Sequence, residues 1–122
     1  MYSIPVSTGE IVDKITILEI KQDNIKDDNK LNNIVNELML LKKIIDISSV
    51  YSLYLELKEI NQKLWNIEDN LRVKEKNKEF DKEFVELARS VYYTNDERAA
   101  VKKQINILTN SELVEEKSYE EY

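Results

Sequence analysis

Cysteine and histidine are both absent from this 122-residue chain, and each absence closes a class of chemistry. Without cysteine there is no disulfide, no thiolate zinc site and no thiol nucleophile. Without histidine the Ser-His and Cys-His arrangements, the imidazole metal ligands and the commonest general base are gone. Glycine and proline occur once each, too few to turn a chain between many short strands. No run approaches the roughly eighteen apolar residues of a membrane span. The start has neither the basic region nor the apolar run of a secretory signal, so a cytoplasmic protein with no membrane association is expected. A net charge of −6 disfavours long-range attraction to nucleic acid.

What the chain has in quantity is Ile, Leu, Asn, Lys and Glu, a composition for helices, at a length that suits one domain. Pro5 and Gly9 both fall in the stretch PVSTGEIVDKITILEIK, which opens the first helix. Ser7 and Glu10 fit a capping box. The helix is expected from about Thr8 to Ile25, with Ile11, Ile15, Leu18 and Ile25 on one stripe and Val12, Ile17 and Ile20 around the rest. Asp13 and Lys14 on so apolar a helix suggest a buried polar site. Asp27-Asp28-Asn29 caps a second helix, whose apolar spacing runs from Leu31 to Ile45. Ser48 or Ser49 is the expected cap of a third, with Val50, Leu53, Leu57, Ile60, Leu64, Ile67 and Leu71 in 3-4 rhythm. The second and third helices together read as a long antiparallel hairpin with coiled-coil-like packing. The expected fold is therefore all-α, a four- or five-helix bundle built on that hairpin, with residues 1–6 as an extended lead-in.

A fourth helix starts at Asp81 and keeps the rhythm through Phe84, Leu87 and Val91, then places Thr94 and Arg98 on the apolar seam before Val101 and Ile105. Two readings stay open. Thr94 and Glu97 form a second capping box, so the pattern favours a helix break there; the alternative is a polar layer inside the bundle. Residues 110–122 are an acidic tail, solvated or docked.

Two constellations carry candidate chemistry. Asn61, Trp65, Glu68 and Arg72 share one face of the third helix, with Asp69 at its edge, and Trp65 is the only tryptophan. Arg89, Tyr92, Asn95, Asp96 and Arg98 form the second, in which the arginine forks suit a phosphate or carboxylate. With Glu10, Asp13 and Lys14 these residues make a candidate binding site where the start of the first helix meets the Trp65 face and the Arg89–Arg98 segment. Either constellation is also explained by surface ion pairs, which are common and weak.

PVSTGEIVDKITILEIK, LWNIEDNLR, ELARSVYYTNDERAA and EEKSY resemble the signature blocks of a small all-helical family of bacteria and their phages that has no assigned activity. The resemblance spans nearly the whole chain. It implies that Gly9, Glu10, Asp13, Lys14, Asn61, Trp65, Glu68, Asp69, Arg72, Arg89, Tyr92, Asn95, Asp96, Arg98, Lys117 and Tyr119 are signature positions, and that the tail is docked.

A non-enzymatic module, binding a protein partner, a second copy of itself or a small phosphorylated or carboxylated ligand, is the reading the chain favours. It needs no cofactor. The alternative is a Mg²⁺-dependent enzyme acting on a nucleotide or other phosphorylated metabolite. Its carboxylate pairs would come from Glu10-x-x-Asp13, Glu56-x-x-Glu59 and Glu83-x-x-Glu86, and its metal from Glu10, Asp13 and Asp96. A chorismate-mutase-like bundle would need Lys14, Arg72, Arg89 and Arg98 to converge.

Overall fold

Ser7, Asp27 and Asp81 each accept a hydrogen bond from the backbone N–H three residues on, and each begins a helix. In the computed structural model, which describes residues 1–122, the elements are α1 (Thr8–Asn24), α2 (Asp28–Ile44), a 3₁₀ turn (Ile47–Val50), α3 (Tyr51–Lys76) and α4 (Lys82–Leu108). No helix is long and apolar enough to cross a membrane. The start of α3 departs from the sequence expectation. Asp46, rather than Ser48 or Ser49, supplies the cap, and it caps the 3₁₀ turn; Val50 then buries its side chain and α3 begins uncapped.

The long hairpin is formed by α3 and α4, not by the second and third helices. These two are of nearly equal length, 26 and 27 residues, and pack on each other more extensively than any other pair. Lys74 near the end of α3 reaches Asp81 at 2.8 Å and Glu83 at 3.3 Å, closing the turn. Asn77 and Lys78 end α3 with the paired backbone bonds Glu79 N–H to Lys74 O and Lys78 N–H to Glu75 O. Helix α2 is packed chiefly on α1, because its narrow stripe of Ile34 and Leu38 is spent there. Helix α1 touches all three others, as its all-round apolar pattern requires. The core gathers Val12, Ile15 and Leu18 of α1, Ile34 and Leu38 of α2, Leu57 and Ile60 of α3, and Val101 and Ile105 of α4.

Helix α4 runs unbroken through Thr94. The expected break fails because Arg98, Lys102 and Asn106 have partners on α1. Thr94, Lys102 and Asn106 are buried, and Arg98 is half-buried. At a spacing of four they form one polar stripe, which α1 covers in antiparallel order: Asn106 opposite Gly9, Lys102 opposite Glu10, Arg98 opposite Asp13.

Candidate functional site

Asp13 is almost wholly enclosed, 1% exposed, so its charge must be matched within the protein. Arg98 does this with a two-pronged contact, Nε to Oδ1 at 2.9 Å and Nη2 to Oδ2. Asn61 Nδ2 donates to the same Oδ1 at 2.9 Å, and Lys102 Nζ stands 3.9 Å from Oδ2. The Asp13 carboxylate raises the affinity of the Arg98 guanidinium for its proton above the ordinary arginine value, and burial opposes this only in part. For Lys102, burial alone would push the ammonium down. Glu10 at 2.8 Å, with the fields of Asp13 and Glu115, more than offsets this and raises it.

The N-terminal donors of α1 are occupied. Ser7 Oγ accepts from Glu10 N–H, Asn106 Oδ1 from Gly9 N–H at 2.6 Å, and Ser111 Oγ from Thr8 N–H. The Glu10 carboxylate does not close the capping box; it turns to Lys102 instead. The start of the first helix is thus a packing joint, and Glu10 also lines a polar hollow of about 420 Å³ with Arg98, Lys102, Glu115, Lys117 and Tyr119.

The open site lies further along α1. A groove of about 540 Å³ is lined by Ile17, Ile20 and Lys21 of α1, by Asn61, Leu64, Trp65, Glu68, Asp69 and Arg72 of α3, and by Asn95 and Arg98 of α4. This is the size at which small molecules are bound. Asn61, Trp65, Glu68, Asp69 and Arg72 meet on it because spacings of three and four keep them on one face of α3. Ile17, Ile20 and Leu64 were not legible as site residues, since apolar positions of α1 and α3 read as core, and Lys21 reads as an ordinary basic residue in the last turn of α1. Lys102 and Asn106 were legible in principle, as the continuation of Thr94 and Arg98 at steps of four.

The remaining candidates fall elsewhere. Lys14 is exposed and pairs with Glu37 at 3.5 Å. Arg89 is exposed and pairs with Glu86 at 3.6 Å, while Tyr92 raises the proton affinity of its guanidinium. Tyr92 and Tyr93 stack with Tyr122, whose hydroxyl donates to Asp96. Lys14, Arg72, Arg89 and Arg98 therefore do not converge. Glu10, Asp13 and Asp96 do not converge either, and no group of three or more His, Cys, Asp or Glu side chains is placed to hold a metal ion. Of the spaced pairs, Glu83 is held by Lys74 and Glu86 by Arg89. Past Leu108 the chain turns at Thr109 and Asn110 and forms no further helix, and Glu115 and Glu116 lie on Lys102 and Lys103 at 3.4 and 3.7 Å.

The class of molecule is thereby defined: an all-α bundle with a buried ionic seam between its first and last helices and a mixed polar and apolar groove beside it. The chain belongs to a family of unknown function (DUF6165), whose model matches residues 2–122. No curated protein and no solved structure matches it.

Proposed function

We propose that the protein is a helical binding module whose groove takes a small molecule bearing a phosphate or carboxylate group. The observation that carries this reading is the fixed guanidinium of Arg98 on the groove wall, beside the only tryptophan. Asp13 engages Nε and Nη2 and leaves Nη1 with no protein partner. An arginine held in this way has already lost its rotamer freedom, which lowers the cost of binding an anion, and its planar fork matches a phosphate or carboxylate. Arg72 and Lys21 add positive charge on the same groove, and Trp65 with Leu64, Ile17 and Ile20 gives an apolar surface for the rest of the ligand.

The test is a thermal-shift screen against nucleotides, sugar nucleotides and phosphorylated or carboxylated metabolites, with and without Mg²⁺. A ligand that binds only the folded chain raises the melting temperature by mass action. Anionic ligands are expected to do so, Arg98→Lys to weaken them, and Arg89→Ala, outside the groove, to leave them unchanged. A flat screen on folded protein would sink the reading. A hit that appears only with Mg²⁺ would replace it with a metal-dependent activity.

A further inference from the structure

Asn61 is 5% exposed, yet its side chain is only half used by the protein. Its Nδ2 donates to Asp13 Oδ1 at 2.9 Å and to Thr16 Oγ1 at 2.8 Å, so both amide hydrogens are engaged. The orientation of the amide is forced. The Thr16 hydroxyl gives its own proton to Asp13 O at 2.7 Å and can only accept from Asn61. Turning the amide over would set Oδ1 against a carboxylate and a lone pair. No protein group donates to Oδ1, and it is not sealed in the interior, since every enclosed side-chain polar atom has a partner. Asn61 reaches open space at the groove. A rigid acceptor with no protein partner, on an otherwise buried side chain, is therefore presented there, next to Arg98.

The charges of the groove point the same way. Lys21, Arg72 and Arg98 stand against Glu68 and Asp69, with Asp13 behind Arg98. That near balance suits a ligand with one acidic group and leaves the further charges of a polyphosphate without a counter-charge. The two carboxylates, like Asn61 Oδ1, accept hydrogen bonds and give none.

We infer that Asn61 Oδ1 sets the specificity of the groove, selecting ligands in which one phosphate or carboxylate is accompanied by a hydroxyl or N–H donor and a flat ring. This rests on the groove being a binding site for acidic molecules, as proposed above. A hydroxylated ligand satisfies Asn61; its deoxy analogue strips water from Oδ1 and leaves it unpaired, which costs affinity. Arg98 holds the acid and Trp65 the ring.

Two matched pairs of ligands on the unaltered protein test this, one for each acid. They are uridine 5′-monophosphate against its 2′,3′-dideoxy analogue, and phenyllactate against 3-phenylpropionate. The readout is the indole N–H cross-peak of the single tryptophan in a ¹H–¹⁵N NMR titration. The hydroxylated member of at least one pair is expected to bind about tenfold more tightly than its partner, the equivalent of one neutral hydrogen bond, and the pair that responds identifies the acid. Uridine triphosphate is expected to bind more weakly than the monophosphate. Asn61→Ala, its fold verified by circular dichroism, is expected to abolish the discrimination while still binding. Equal affinity within both pairs would overturn the role of Asn61 and leave the anion groove standing. No saturable shift with any of the five molecules would overturn both.

Discussion

Gly9 and Asn106 lock the two ends of the chain's helical body together: the Gly9 N–H gives a 2.6 Å hydrogen bond to Asn106 Oδ1. The approach is so close that a Cβ at Gly9 would sit 2.6 Å from the carbonyl oxygen of Lys102 and 3.0 Å from Asn106 Oδ1. The only glycine is therefore needed for space and not for an unusual backbone angle, because its φ is negative.

Gly9→Ala then separates two effects of opposite sign. In an unobstructed helix the change would stabilise by about 1 kcal/mol, through helix propensity. Against the Lys102 backbone it must move α1 off α4, and overpacking of this kind costs about 1–3 kcal/mol. Net destabilisation in a urea titration is expected, with a loss of Lys102 pairing visible as a weaker dependence of stability on salt. A more stable Gly9→Ala protein would mean that the two helices do not meet this closely.

The ionic seam yields a second prediction. Asp13→Asn leaves the Arg98 guanidinium without its carboxylate in a largely enclosed site, and breaking a buried pair from one side costs about 3–5 kcal/mol. Substituting both residues, Asp13→Leu with Arg98→Met, removes the stranded charge and is expected to recover much of the loss. Chemical denaturation of Asp13→Leu, Arg98→Met and the double variant measures the coupling. Additive losses would show that the pair does not act as a unit.

How far the sequence foretold this arrangement differs element by element. The caps at Ser7, Asp27 and Asp81 and the helices they begin were legible, because a short polar side chain before an apolar period has a local cause. The pairing of helices was not. The stripes of α2 and α3 looked suited to each other, but α2 has one narrow stripe and α1 has apolar faces for three partners, and that competition is decided in space. The run Thr94, Arg98, Lys102, Asn106 was ambiguous for a similar reason. A polar stripe breaks a helix only if nothing covers it, and its cover, Glu10 and Asp13 with the backbone of Gly9, lies about ninety positions away. For the groove, the α3 face was readable from spacing alone, while Arg89, Tyr92 and Asp96 were grouped with Asn95 and Arg98 only by nearness in sequence. They point to other sides of α4, where Glu86 and Tyr122 meet them.

The last prediction concerns alkaline pH. Tyr54 is buried and donates to Glu19 Oε1 at 2.5 Å, on a carboxylate that also meets Lys42 at 3.3 Å and Lys58 at 3.8 Å. Burial first, and the hydrogen bond and charge of Glu19 second, push the phenol well above its usual value. Lys102 is raised as well. Groups whose folded values are raised hold more protons in the folded chain than in the unfolded one. Their contribution is complete below the unfolded values of about 10 and is lost as pH climbs from there through the folded ones. Stability is therefore expected to be flat in these groups from neutral pH to about 10 and to fall above it, the slope easing in Tyr54→Phe. Phenolate absorbance follows the same event. Tyr54 should ionise only with unfolding, its share of the absorbance assigned by difference from Tyr54→Phe. Ionisation of Tyr54 ahead of the loss of helical circular dichroism would show that the Tyr54–Glu19 bond does not hold the phenol.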